Sequence, residues 1–336
     1  MKSAWVSPFL LCALGLAAPR APAAGTPRTL ARHEASRMSM ACAYAIVAYG
    51  EDAGALPPIL GAAFDEVDRI DRLMSHYKPE SPLSRLNRDA AAGPVVVTPE
   101  LFDFIAECLR YSRESDGAFD ITVGPLMKTW GFFRGGGHLP SAPEIEDVRG
   151  RIGYAHVVLD ARARTIRFDR PGIELDLGGI AKGYAVDRVV ELLRREHVAA
   201  ALVSAGGSTI FALGAPPGRE AWDVDIQDPV DTGRVALTVH LKDRALSVSG
   251  TSEKSFERDG IVYSHIMDPR TGRPVQGVLS VAVLAATGTA GDALDDALFV
   301  QGVERSRAYL QRLPATEAIF FLPEDGRPWK MVRLTP

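Results

Sequence analysis

Ile173-Glu174-Leu175-Asp176-Leu177-Gly178-Gly179-Ile180-Ala181-Lys182-Gly183-Tyr184-Ala185-Val186-Asp187 joins two kinds of secondary structure. Residues 173–177 read as a strand, Gly178-Gly179 as a break, and Ala181 to about Arg195 as a helix. Upstream, 156–160 and 165–168 read as a hairpin around Ala161-Arg162-Ala163-Arg164. Downstream, 200–204 is another strand, stopped by Gly206-Gly207. Further out, strands are expected over 43–49, twice within 235–248, over 279–285 and over 318–322. Amphipathic spacing predicts helices over 60–74 and 99–115, with Pro99 suited to a first turn, and a last long helix over 290–313. Strands and helices that alternate with hairpin-like connections predict an α+β fold with mixed or antiparallel sheets packed by helices, not a doubly wound parallel sheet.

The 336 residues are 46% hydrophobic and 24% charged, ordinary globular values, with a formal net charge of −4. No basic excess or basic stripe points to nucleic acid. Lys2, the apolar run 9–18 and the small residues 21–25 read as a secretory signal peptide, too short to span a bilayer as a mature helix. The expected organisation is a signal peptide over 1–24, a linker over 25–36 and one domain over 37–336. The expected location is exported, soluble and periplasmic, with no transmembrane segment in the mature chain. Cys42 and Cys108 could pair in an oxidising compartment or remain two buried thiols.

Four stretches could carry chemistry. The glycines at 178 and 179 let a ligand approach the backbone, and the helix that follows would present N–H groups to an anion such as a diphosphate, with Lys182 adding charge. The bland alternative is a turn in which glycine supplies only backbone freedom. Ser264-His265-Ile266-Met267-Asp268-Pro269-Arg270-Thr271-Gly272 places a histidine just before a turn, open to a role as general base or phosphate ligand, or to simple packing. In Gly291-Asp292-Ala293-Leu294-Asp295-Asp296, positions 292 and 296 share a helix face with 295 beside it. Oxygen donors of this kind suit Mg²⁺, although acids in a first helical turn also favour the helix dipole. Gly117-Ala118-Phe119-Asp120 with Tyr77 and Trp130 could stack on a planar ring system or form ordinary core.

Taken in order, these stretches resemble the ApbE family of FAD:protein FMN transferases. Met74-Ser75-His76-Tyr77-Lys78-Pro79-Glu80-Ser81 through Asn87 looks like the family's N-terminal signature, and 117–120, 176–187, 204–207, 249–250 and 264–272 fall where the family has its motifs. The resemblance implies an enzyme that takes FAD and Mg²⁺, moves the FMN moiety onto a threonine or serine hydroxyl of an acceptor flavoprotein, forms a phosphodiester and releases AMP. It implies that Met40, Tyr77, Ala118, Phe119, Asp120, Gly178, Tyr184 and Ile266 line FAD. It implies that Ala181, through its carbonyl, and Asp292 bind the metal. His265 matches a histidine near the reacting diphosphate, and the expected role is that of base for the incoming hydroxyl. The family usually has threonine where this chain has Asp296, which is expected here as a third metal ligand, and Met40-Ala41-Cys42 replaces the usual Met-Gly-Thr. The rival readings are a metal-dependent FAD pyrophosphatase, with water in place of the hydroxyl, and a non-catalytic FAD-binding protein.

Overall fold

The computed structural model describes residues 30–133 and 135–336, so the expected signal peptide lies outside the described residues. Eight strands form one antiparallel sheet in which spatial order follows chain order: β1 (Ala31–Ser39), β2 (Cys42–Gly50), β3 (Ala200–Ala205), β4 (Thr209–Leu213), β5 (Arg244–Gly250), β6 (Ser280–Ala285), β7 (Glu317–Glu324) and β8 (Arg327–Leu334). This is the α+β architecture the sequence predicts. The helices are α1 (Leu56–Met74), α2 (Pro82–Asp89), α3 (Pro99–Glu114), α4 (Gly124–Thr129), α5 (Ala142–Arg149), α6 (Ala181–Arg195) and α7 (Gly288–Leu310). Among the described residues no helix is long and apolar enough to cross a membrane.

The long insertions lie between neighbouring strands. Helices α1 to α6 and a three-stranded sheet (95–96, 157–160 and 165–168) separate β2 from β3, and α7 separates β6 from β7. Helices α1, α6 and α7 bury their apolar faces against one side of the sheet, around Ile46, Val67, Val189, Val203, Phe211, Val281, Leu298 and Phe320. The other side is covered by the hairpin 222–227/235–241, whose Trp222, Val224, Ile226 and Leu241 meet Ile210, Leu246, Leu284 and Phe321. All six residues of β6 are buried, because helix covers one face and hairpin the other. That double burial explains an uninterrupted apolar run in an antiparallel strand.

Two expectations are corrected. Residues 173–177 do not form a strand: only Glu174 makes a bridge, to Val123. The backbone there is held by a side chain, since Asn87 donates to the Leu175 carbonyl (2.9 Å) and accepts from the Leu175 N–H (2.8 Å). An extended segment clamped in this way satisfies its polar groups without a ladder. A strand unread in the sequence, β1, starts at Ala31, inside the stretch expected as linker. It is the sheet edge, with Arg32, Glu34 and Arg37 on it, and such polar edges resist further strand pairing. Cys42 and Cys108 are both free thiols, Cys108 fully buried in α3.

Candidate active site

Helices α6 and α7 cross so closely that glycine is required on both. A Cβ on Gly183 would lie 2.2 Å from the Gly288 carbonyl oxygen, and one on Gly288 would lie 2.7 Å from the Gly183 oxygen. Each helix also caps the other. Asp187 of α6 accepts from the Gly288 N–H (2.6 Å), the Thr289 N–H (2.8 Å) and the Thr289 hydroxyl (2.6 Å) at the start of α7. In return Asp292 of α7 accepts from the Gly183 N–H at 2.6 Å near the start of α6. The sequence suggests that the α6 N-terminus would face a diphosphate; in the structure one of those donors is already taken by Asp292. The carboxylate and the helix terminus complement each other electrostatically.

The remaining oxygen of Asp292 is held from the sheet. Thr209 of β4 and Ser247 of β5 are directly opposite each other, and both hydroxyls donate to Asp292 Oδ1 at 2.7 Å. The Ser247 oxygen also lies 2.7 Å from Asp295 Oδ2, so one hydroxyl joins two carboxylates. Two residues along the same face of β5, Ser249 donates to Asp296 Oδ1 at 2.7 Å. The first turn of α7, 288–291, contains no acid. Asp292, Asp295 and Asp296 therefore sit beyond the reach of the helix-dipole explanation, and their placement requires another cause.

Electrostatics supply one. Burial raises Asp292, although Lys182 and its hydrogen bonds oppose the rise. Burial, with Asp296 and Asp292 nearby, pushes Asp295 well up. Burial pushes Asp296 up to about 7, against the Ser249 hydrogen bond. Lys182 is pulled down by burial, but Asp292 and Glu253 outweigh that and keep it above the usual lysine range. Its ammonium donates to Ser208 at 2.5 Å. One lysine among three crowded carboxylates leaves an excess of negative charge.

Among the described residues no three His, Cys, Asp or Glu side chains close into a ready-made metal cage. The donors are nonetheless hard oxygens whose mutual repulsion a divalent cation would relieve. Asp296 also points its second oxygen at the glycine turn, where a Cβ on Gly179 would be only 2.6 Å away. Carboxylates beside a side-chain-free backbone fit the way Mg²⁺ is usually held, by one or two carboxylates together with substrate oxygens. Ala181, the first residue of α6 and two residues before Gly183, is buried.

A pH prediction follows from the raised acids. An acid whose folded pKa lies above its unfolded value binds more protons when folded, so stability falls as pH rises between the two values. For Asp296 that window runs from about 4 to about 7, and for Asp187, raised to about 6 mainly by burial, from about 4 to about 6. Three units at Asp296 would amount to on the order of 4 kcal/mol, but the residue keeps some solvent access and about 2 kcal/mol is expected. The cation-free protein should therefore melt a few degrees lower at pH 8 than at pH 5, and millimolar Mg²⁺ should raise Tm more at pH 8. A Tm that rises from pH 5 to 8, with equal Mg²⁺ effects, would exclude this reading.

The other expected site residues fall into two groups. Phe119, buried, reaches within 4.0 Å of the Cβ position on Gly179, and Gly178 donates its N–H to Asp176 at 2.8 Å. Ala118 and Ile266 are buried in the same hydrophobic core as Phe119. Met40 occupies the tight β1–β2 turn at φ 48°, followed by Ala41 at φ 60°, and its sulfur accepts from the Tyr44 hydroxyl at 3.1 Å. Tyr77 is 46% exposed and stacks on Phe133 at 4.7 Å and 17°. Asp120 and Tyr184 have other partners. Asp120 is occupied by the Thr122 N–H and hydroxyl and by the Tyr154 N–H, and so pins its own loop. The Tyr184 hydroxyl donates to Glu100 at 2.9 Å, within a network completed by Arg69.

His265 is half-buried, with Nδ1 3.2 Å from the Lys254 carbonyl. A carbonyl only accepts, so Nδ1 carries the hydrogen and Nε2 is the basic atom. Burial lowers its pKa, while Glu253 and the hydrogen bond to the Lys254 carbonyl oppose the fall and the Lys182 charge adds to it. The imidazole is thus neutral near pH 7 and able to take a proton. Sequence reading missed Thr209 and Ser247, because each is an ordinary small polar residue in a strand until α7 is laid across it; Ser249 stood within a family motif but without a role.

The chain is similar to known proteins in both sequence and fold. The ApbE family profile matches residues 40–320. A Treponema pallidum protein named FAD:protein FMN transferase is 37% identical over 284 residues, covering 78% of each chain. An Escherichia coli protein of the same name is 32% identical, over 79% of this chain and 76% of its own. A crystal structure of an ApbE protein from Thermotoga maritima superposes with TM-score 0.82 and 30% identity, over 90% of this chain and 97% of that one. The apo flavinyl transferase ApbE of Pseudomonas stutzeri gives TM-score 0.81 at 29% identity, over 91% and 95%.

Proposed function

This chain belongs to the ApbE family, and on that premise we propose that it transfers the FMN moiety of FAD to a threonine or serine hydroxyl of an acceptor flavoprotein. The observation that carries this reading is the contact of Asp296 with Gly179, which brings the acid cluster against the glycine turn and Phe119. A bound Mg²⁺ would neutralise the diphosphate and help AMP to leave. Asp292 and Asp296, with the Ala181 carbonyl, would hold it. Asp292 is fixed for that task by Gly183, Thr209 and Ser247, and Asp296 by Ser249.

The acceptor oxygen attacks the phosphorus on the riboflavin side of the diphosphate. The bond from that phosphorus to the bridging oxygen breaks, and a phosphodiester and AMP result. His265 Nε2 takes the hydroxyl proton. His265→Ala should therefore slow transfer by about 10²-fold with FAD binding unchanged, as expected for a lost general base. Full transfer by that variant would reject the role. The apolar leader supports an exported, periplasmic location, where the acceptor would be a secreted or membrane redox subunit.

Water at the hydroxyl position would turn the same site into an FAD pyrophosphatase. Chromatography of FAD, FMN and AMP, with and without an acceptor protein, separates the two activities. Transfer predicts AMP formation that depends on the acceptor and little free FMN. Equal FMN release in both mixtures would establish hydrolysis, and no AMP with any divalent cation would establish a binding protein.

A further inference from the structure

His76 lies beyond the glycine turn, and nothing above assigns it a role. It follows α1 and is almost wholly buried, its side chain 4% exposed, with Nδ1 3.1 Å from Asp176 Oδ1. Asp176 is itself only 9% exposed, and the same oxygen accepts the Gly178 N–H. His76 also belongs to a three-ring cluster, tilted against Tyr77 at 4.0 Å and stacked on Phe133 at 5.2 Å between centroids. Its Nε2 is buried without a hydrogen-bond partner.

An imidazole nitrogen buried without a partner carries a desolvation cost of about 1–3 kcal/mol, which a complementary ligand atom would remove. The carboxylate beside Nδ1 favours hydrogen there, which leaves Nε2 with a lone pair. The arrangement therefore asks for an N–H donor on the edge of a planar group that can also stack on Tyr77. The oxidised flavin ring has one such donor, the imide N–H between its two carbonyls. Asp176 connects His76 directly to the glycine turn, so ring and diphosphate would sit on neighbouring parts of one surface.

We propose that His76 is a positioning residue that accepts the flavin imide N–H, with Asp176 setting its orientation. This rests on the FAD reading of the site but not on the transfer chemistry. It would make ring recognition in this chain depend on a side chain outside the reacting centre.

The test is binding of riboflavin and of 3-methylriboflavin to the intact protein, followed by flavin fluorescence. Neither probe carries a diphosphate, so failure of the cation or transfer reading leaves the result unaffected. Wild type should bind riboflavin about tenfold more tightly than the methylated ring, one hydrogen bond's worth. His76→Phe should keep the stack and lose the preference. His76→Gln, whose amide oxygen can accept, should retain most of it, and Asp176→Asn should weaken it. Equal affinity of wild type for both rings overturns the proposal, as does an unchanged preference in His76→Phe. Displacement of FAD by AMP but not by riboflavin also overturns it. If His76→Phe fails to fold, the wild-type comparison still decides.

Discussion

Gly183→Ala is expected to destabilise the protein by about 3–5 kcal/mol and to abolish activity at assay temperatures. The added methyl would sit 2.2 Å from the Gly288 oxygen and 2.8 Å from the Thr289 nitrogen, both backbone atoms that no rotamer change can move. Overpacking of this kind costs about 1–3 kcal/mol or more. Forcing the helices apart also loosens the Gly183 N–H to Asp292 bond, a hydrogen bond to a charged group worth about 1.5–3 kcal/mol. The Asp187 cap on α7 would loosen with it. Thermal melts of the variant against wild type check the prediction. Gly61→Ala is a suitable control, since nothing lies near its Cβ position and alanine is the better helix former. A Gly183→Ala protein as stable as wild type would show that the crossing is not as tight as described.

Asp292→Asn should separate catalysis from folding. The amide oxygen can face the Gly183 N–H, and the amide nitrogen can face the Thr209 and Ser247 hydroxyls, which rotate to accept. Stability should thus fall by only about 1–2 kcal/mol. The charge is lost, however, and transfer should fall by at least about 10²-fold, because cation stabilisation of a phosphoryl-type reaction is worth several kcal/mol. Asp296→Thr is the informative companion. It removes one crowded carboxylate while leaving a hydroxyl near Ser249, so the cation-free protein should become more stable at pH 8 and its pH dependence shallower. Transfer should stay within about tenfold of wild type. Asp292→Asn with near-normal transfer and an unchanged Mg²⁺ requirement would remove Asp292 from the centre.

Parts of this structure were legible in the sequence and parts were not, for physical reasons. Helix α6 occupies the expected 181–195 because a glycine pair opens it and its apolar face is regular. Strands β2, β3, β6 and β7 were legible as short apolar runs bounded by breakers. Helix α7 was displaced by two residues at its start, because Thr287 caps it and Gly288 lies within it for the sake of the crossing. That small shift changes the meaning of Asp292, which moves from the first turn into the second. Residues 173–177 resembled a strand because they are extended and half apolar, but Leu175 bonds to the Asn87 side chain, 88 residues away, and the Asp176 N–H to the Ile121 carbonyl. The mutual capping of α6 and α7 links residues 109 positions apart, a distance at which hydrophobic period and local caps give no signal. The family resemblance supplied Asp292 and Gly178 directly; only coordinates could show that Asp120 and Tyr184 are already bonded within the protein.

The intact mass of an acceptor protein after incubation with this enzyme, FAD and Mg²⁺ addresses the proposed activity most directly. Transfer predicts an acceptor heavier by one FMN less one water, with one AMP formed per modified acceptor, and no modification when the target hydroxyl is replaced by alanine. An acceptor of unchanged mass alongside stoichiometric free FMN and AMP would contradict it.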